Sequence, residues 1–412
     1  MKKDLTIAVV GAGIVGLCNA LQLQQLGYQV TLFDPKGIGT QCSKGNAGHF
    51  ATEQVFPLAD RALLKKLPSM LLDKLSPLRI DWRYLLQALP WFARFCANMP
   101  TPRYKRHTQA LKALNQAALD AYKRLLGNNF NAHIICKGSL LTFENYDLDA
   151  IKKIQHAYHS NGVKVELLDK PAIAALEPQI SDKVRYALLF TEVGHTPDPL
   201  KLSMHIYKEF IHLGGQFVQQ SVAEVAQHEH NASVINSLGK SKRFSKVIIC
   251  AGAWSKQLCQ QLGYKLPIEA ERGYHNMLSN HALSRPVASA DRQFIMTPMQ
   301  AGLRLSGTVE FAGLHRPPFY ARAASLLTHA QALLKKFNHI EQGEYWMGPR
   351  PSLPDSLPVI GQAPTHPNIL FALGHQHLGL TQAAITSELI ANLVANQPTV
   401  FDITPYSIAR FQ

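Results

Sequence analysis

Residues 6–34 read TIAVVGAGIVGLCNALQLQQLGYQVTLFD, and this stretch decides the fold. A β-branched apolar run ends in three glycines, Gly11, Gly13 and Gly16, with the spacing GxGxxG. An amphipathic run of helical period follows, then a second β-rich run, YQVTLF, that closes on Asp34. Strand, glycine turn, helix and strand in this order predict a βαβ unit. Gly11 permits the tight turn, Gly13 lets the backbone of Ala12, Ile14 and Val15 approach a pyrophosphate, and Gly16 lets helix and sheet pack closely. The free N–H groups and dipole at the helix start attract phosphate. Asp34, about 20 residues beyond the fingerprint, suits ribose hydroxyls and repels a 2′-phosphate. The unit predicts a dinucleotide site and leaves NAD and FAD both open. The plainer alternative is a glycine turn with a chance aspartate.

Outside this unit, composition sets bounds. A length of 412 residues suits two packed domains, and 46% apolar with 17% charged residues describes a globular chain. Cys18, Cys42, Cys96, Cys136, Cys250 and Cys259 are scattered without a C-x-x-C pair, which fits a reducing compartment and predicts neither a disulfide framework nor a metal site. The opening MKKDLTIAVVGAG is too short and too β-branched for a signal peptide, so we expect a cytoplasmic protein. The formal charge of +14 admits nucleic acid, a membrane surface, an anionic substrate or plain solubility. No zinc-finger spacing or aromatic RNA-binding signature accompanies it, so nucleic acid is not expected.

Four segments further on carry a resemblance. Residues 42–49, CSKGNAGH, resemble the Ser-x-x-Asn-Ala-Gly loop of FAD-dependent D-amino-acid dehydrogenases, within the wider family of D-amino-acid oxidase, glycine oxidase and sarcosine oxidase. KVIICAGAWS at 246–255 looks like that family's second flavin-domain strand, and GPRPSLPDSLPVIG at 348–361 like its Arg-Pro…Pro-Asp…Ile-Gly segment. NILFALGHQHLGLT at 368–381 resembles its closing strand and glycine loop, followed by the helix QAAITSELIANLVANQ.

The resemblance implies an α/β protein: a discontinuous Rossmann-like FAD-binding domain (residues 1–56, 195–262 and 346–412) and a substrate domain on an antiparallel sheet (57–194 and 263–345). It implies FAD contacts at Ser43, Asn46, Ala47, Gly48, His49, Val222 (on the adenine side), Ala251, Gly252, Trp254, Gly361, Gly374, His377, Leu378, Gly379 and Thr381. Sarcosine oxidases carry a flavin-linking cysteine where this chain has Gly348-Pro349-Arg350, and His49 falls after the histidine that links flavin in dimethylglycine dehydrogenases. We therefore expect non-covalent FAD. Between the matching segments, residues 131–147 read as sheet, 148–162 and 199–214 as helix, and 263–319 as short alternating strands.

The implied activity is oxidative deamination of a small amino acid: hydride passes from the α-carbon to flavin, and the imine is hydrolysed to a keto acid. Such a site must orient the α-hydrogen and bind the carboxylate. Arg350 matches the family's carboxylate-binding arginine, and a guanidinium suits that task. Tyr274 is either a second arm of the clamp or a buried sheet tyrosine. His49 and His377 stand on loops expected to face the flavin, where a histidine can bond substrate or stabilise reduced flavin. Asp355, set between prolines, reads as a turn-former.

Residues 60–107 form a basic helical insert in which lysine and arginine alternate with Leu, Trp, Phe and Met. It reads either as a peripheral anchor for an anionic membrane, where electrons pass to a quinone, or as a helical cover over the substrate pocket. In the anchor reading Lys65, Lys66, Arg79, Arg83 and Arg94 face headgroups, while Leu71, Leu72, Trp82, Trp91 and Phe92 enter the lipid. Alternatives to the quinone-linked dehydrogenase are an oxygen-using amino acid or secondary-amine oxidase, a flavin subunit that needs partner subunits, and a non-catalytic FAD scaffold.

Overall fold

The computed structural model describes residues 5–60, 75–279, 283–335 and 343–412. Its first layer is built from the motif that opens the chain. Strand β1 (Thr6–Val10) runs into helix α1 (Ile14–Gln25), which returns the chain to β2 (Gln29–Phe33). The glycines are required by space as much as by torsion. Gly11 adopts φ +110°, and a Cβ there would lie 2.5 Å from the Cys250 carbonyl oxygen. A Cβ on Gly16 would run into the carbonyl of Gly11.

β1 sits inside a six-stranded sheet with the order Val359–Ala363, His366–Leu373, Lys246–Ile249, β1, β2, Gln216–Val218. All neighbours are parallel except the first pair, a hairpin. A parallel sheet must be covered on both faces. One face is covered by α1 and the closing helix Gly379–Val394, with Leu17, Leu21, Leu380 and Ile385 in their shared core. The other face is covered by the three-stranded sheet of Val222–Gln227, Ala232–Asn236 and Ser241–Phe244.

The second layer is a nine-stranded sheet in which Glu269–Leu278, next to the edge, lies between Glu344–Ser352 and Gly302–Phe311. It is mixed, not purely antiparallel: Val287–Ser289 joins Ser139–Phe143 in parallel, and Leu78–Ile80 joins Gly302–Phe311 in parallel. Within 131–147 only Ser139–Phe143 is strand, because Phe130–His133 completes a helical turn. Helix Thr101–Leu126 begins in the basic insert but buries Leu111, Leu114, Tyr122 and Leu125 in the core of the first layer, where Tyr122 Oη donates to the Leu380 carbonyl at 2.8 Å.

The insert departs from the anchor reading in part. Lys65, Lys66, Leu71 and Leu72 lie outside the described residues. Trp91 does not face outward: it is 6% exposed and stacks on Phe95 against Phe311, with Phe92 beside it. Arg79 pairs with Glu310. The outward apolar face of helix Leu85–Ala97 is instead Trp82, Leu85, Leu86 and Leu89, flanked by exposed Arg83 and Arg94. No helix among the described residues is long and apolar enough to cross a membrane.

Candidate active site

Between the two layers runs a cavity of about 780 Å³. It begins at Asp34 and Val222, passes Gly11 and Gly13, and ends against the large sheet at Trp346 and Arg350. The glycine-turn end is fixed by side chains from outside the helix. Ile14 N–H, at the start of α1, donates to Ser43 Oγ at 2.9 Å, and Ala12 N–H donates to Asp34 Oδ2 at 2.9 Å. The residues 42–48 are clamped to the second layer by three groups. Cys42 Sγ donates to the Pro349 carbonyl at 2.8 Å, His275 Nδ1 lies 3.1 Å from the Gly45 carbonyl, and Arg304 donates to the carbonyls of Lys44 and Asn46. The indole of Trp346 stacks on His275 and covers Gly45 and Gly348, neither of which has room for a Cβ.

Strand register sets which side chains stand at the far end. Glu271 pairs with Arg350, Gly273 with Gly348 and His275 with Trp346. Residues opposite one another in an antiparallel pair share a face, and this face borders the cavity. Arg350 Nη1 donates to Glu271 Oε1 at 3.2 Å, and Glu271 Oε2 accepts from Ser352 Oγ at 3.0 Å. The guanidinium lies flat over Gly273, in the space a side chain would occupy there. His377 enters from the loop before the closing helix, with Nε2 3.1 Å from Gln54 Oε1. Burial pushes its pKa down to about 4, so it is neutral at physiological pH. His49 Nε2 meets Glu53 Oε1 at 2.8 Å.

Of the residues singled out in the sequence, Gly11, Gly13, Ile14, Val15, Asp34, Ser43, Asn46, Ala47, His49, Val222, Ala251, Gly252, Trp254, Arg350, Gly374, His377 and Gly379 line the cavity. Ala12, Gly16, Gly48, Gly361, Leu378 and Thr381 stand behind its wall. Thr381 Oγ1, for example, accepts from Ala51 N–H at 2.9 Å and so ties the early loop to the closing helix. The structure does not bring Tyr274 to the cavity. It is one residue out of phase with Gly273, so it points to the opposite face of the sheet, where its hydroxyl donates to Glu310 at 2.5 Å and accepts from Phe319 N–H. Burial and that carboxylate push its pKa up to about 12. Asp355 is a turn residue, accepting from Leu357 N–H and pairing with Arg410 at 2.7 Å.

Glu53, Gln54, Glu271 and Trp346 were not singled out in the sequence. Glu53 and Gln54 follow the glycine loop directly, which was the one available signal. Trp346 and Glu271 become visible only through the strand register.

A dinucleotide with a ring system fits these walls. The cavity has the volume of a large-ligand site, the glycine turn leaves the backbone bare, and Asp34 and Trp346 line one and the same cavity. The cysteines at the cavity are poor nucleophiles: burial pushes the Cys42 thiol up to about 12 and Cys250 higher still.

Comparison with known proteins agrees with this geometry. The D-amino-acid oxidase of Bradyrhizobium diazoefficiens is 30% identical over 424 residues, covering 100% of both chains. The D-amino acid dehydrogenase of Sinorhizobium medicae is 27% identical over 429 residues, covering 99% of this chain and 100% of the relative. The crystal structure of glycine oxidase from Geobacillus kaustophilus superposes with a TM-score of 0.74 at 20% identity, covering 99% of each chain. The family model described as FAD dependent oxidoreductase matches residues 6–393, and the chain therefore belongs to the FAD-dependent oxidoreductases.

Proposed function

We propose that this enzyme oxidises the Cα–N bond of a D-amino acid, with FAD held non-covalently and electrons passed to a membrane quinone. The observation that carries the substrate class is Arg350. Its guanidinium borders the ring end of the cavity, and its one hydrogen bond to Glu271 leaves further N–H groups for a carboxylate. Charge-assisted, paired hydrogen bonds of this kind fix orientation as well as affinity. The names of the two relatives above support the D-configuration.

FAD, when bound, supplies the two-electron acceptor. The chain's own residues do the rest. Arg350 binds the carboxylate and so aims the α-hydrogen, while Trp346 and the large sheet wall the reacting face. Neutral His377 accepts or donates a hydrogen bond beside Arg350 without adding charge. Gly13, Ile14 and Ser43 hold the phosphates, and Asp34 the ribose.

The quinone is supported by the outward face of Trp82, Leu85, Leu86 and Leu89 beside Arg83 and Arg94. Apolar side chains ringed by cations describe an interfacial segment. A soluble oxygen-using oxidase is the second reading, favoured by the name of the Bradyrhizobium relative.

Anaerobic bleaching of the flavin by D- and L-amino acids, glycine, sarcosine, proline and hydroxyproline tests the proposal. D-amino acids should bleach fastest, and Arg350→Ala should keep its FAD while kcat/KM falls by about a hundredfold. Turnover within a few-fold of the parent would place the carboxylate elsewhere.

A further inference from the structure

The imidazole of His377 has one nitrogen engaged and one free. Nε2 lies 3.1 Å from Gln54 Oε1, an oxygen that can only accept, so the single proton of the neutral ring sits on Nε2. Nδ1 is then a bare lone pair. It has no partner within the protein, and it is not sealed in as the Nδ1 atoms of His49 and His195 are. His377 stands deep in the fold and borders the cavity, so this lone pair is within reach of what the cavity holds. Gln54 is itself held from behind. Its backbone carbonyl accepts from Asn115 Nδ2 at 2.8 Å, and Asn115 Oδ1 accepts from Gln382 Nε2 at 2.9 Å, on the closing helix that His377 precedes.

The charged and titratable side chains within electrostatic reach of His377 are Glu271, Arg350, Glu53 and His49. Their acceptors are spent. Glu271 accepts from Arg350 and Ser352, Glu53 Oε1 meets His49, and Glu53 Oε2 is sealed. Among these side chains Nδ1 of His377 is the acceptor left open. One carbon separates the carboxylate of an α-amino acid from its amine, so a carboxylate on Arg350 brings the amine into this neighbourhood. We infer that His377 Nδ1 accepts one N–H of the substrate's α-amine, and that Gln54 is the positioning residue that fixes the tautomer this requires. The inference rests on the amino-acid reading above. As the Cα–H bond breaks, its electron pair leaves with the hydrogen as hydride for the flavin, and the lone pair of the neutral amine closes the C=N bond. The nitrogen keeps its protons, gains positive charge and becomes a stronger donor. Its bond to Nδ1 therefore tightens toward the transition state, and the effect falls on rate more than on affinity. A carboxylate at this place would instead favour the ammonium, which has no lone pair to give.

The test is stopped-flow reduction of the FAD-loaded enzyme without oxygen, at alkaline pH where free amines are neutral. The D-amino acid that reacts fastest is compared with its N-methyl and N,N-dimethyl derivatives, of which only the last lacks an N–H. His377→Leu should lower the limiting rate for the primary and secondary amines by about tenfold or more, with KM little changed, and leave the tertiary amine within about twofold. His377→Asn, whose amide oxygen can stand where Nδ1 stood, should recover most of that rate. Gln54→Leu should slow the parent but not His377→Asn, because an amide has no tautomer to fix. Nitrogen-15 NMR of histidine-labelled enzyme should show Nδ1 of His377 unprotonated, with the signal assigned by its absence in His377→Asn. FAD content reports whether each variant is intact.

Equal slowing of all three amines in His377→Leu overturns the inference and would assign Nδ1 to an N–H of the flavin. A protonated Nδ1, a Gln54→Leu enzyme as fast as the parent, or an asparagine variant no faster than the leucine one overturns it too. Should the tertiary amine not react at all, the asparagine-to-leucine comparison decides alone. Failure of every amino acid to bleach the flavin is a separate result, and it removes the amino-acid oxidase reading itself.

Discussion

The flat seat of Arg350 on Gly273 allows the proposed carboxylate site to be perturbed without replacing the arginine itself. Gly273→Ala adds a Cβ that would lie 2.7 Å from Arg350 Nε and closer still to Cζ. Ordinary van der Waals contact begins near 3.4 Å, so the guanidinium must retreat by about 1 Å. The backbone at Gly273 sits in a regular strand with no left-handed torsion, and alanine is accepted there. The long arginine side chain therefore absorbs the clash, and its 3.2 Å bond to Glu271 gives way. A misplacement of about 1 Å in a positioning group costs roughly a hundredfold in rate. The assay is stopped-flow reduction of the flavin by the best D-amino acid, with FAD content and melting temperature as controls for the fold. kcat/KM should drop by about a hundredfold with FAD retained, and the double variant Gly273→Ala/Arg350→Ala should be no slower than Arg350→Ala alone, because both act through one group. A Gly273→Ala enzyme within threefold of the parent, or losses that add in the double variant, would refute the argument that this guanidinium seats the carboxylate.

Acid precipitation should release the flavin intact and leave a colourless polypeptide, since burial keeps the Cys42 thiol protonated; yellow protein after denaturation would contradict this. Burial lowers the pKa of His375 and of His275 to about 3 and that of His195 to about 4, against about 6.5 in the unfolded chain. Between about pH 6.5 and 4 the unfolded chain thus binds protons that the folded chain refuses, and stability falls as pH is lowered through that window. The loss is on the order of 2 kcal/mol per histidine by pH 5, and a urea midpoint equal at pH 7 and pH 5 would contradict it. The protein should bind anionic vesicles more than neutral ones, with binding weakened by salt and by Trp82→Ala or Leu86→Asp. Indifference to both vesicle types, together with stoichiometric peroxide, would favour the soluble oxidase.

The dinucleotide half of this protein was legible in the sequence because its information is local. The glycine spacing from Gly11 to Gly16, the helix period behind it and the acid at Asp34 all lie within one βαβ unit, where each residue's neighbours along the chain are also its neighbours in space. Arg350 was legible as a candidate for a related reason, as one residue of a short motif rich in proline, and the structure sets it at the cavity wall. Tyr274 was not settled, because a strand alternates its side chains every residue, and which parity faces the cavity depends on pairing with a strand more than 70 residues away. Trp91 could not be told from a lipid-facing residue until Phe311 was seen to cover it. The meeting of His49 and Glu53 with His377 likewise requires the closing helix to fold back on the first loop, a contact between Gln54 and His377 spanning 323 residues. Local pattern determined which elements of the dinucleotide half form and where its glycine turn lies. Only tertiary packing decided which faces meet, and with them which acids, histidines and indole wall the site.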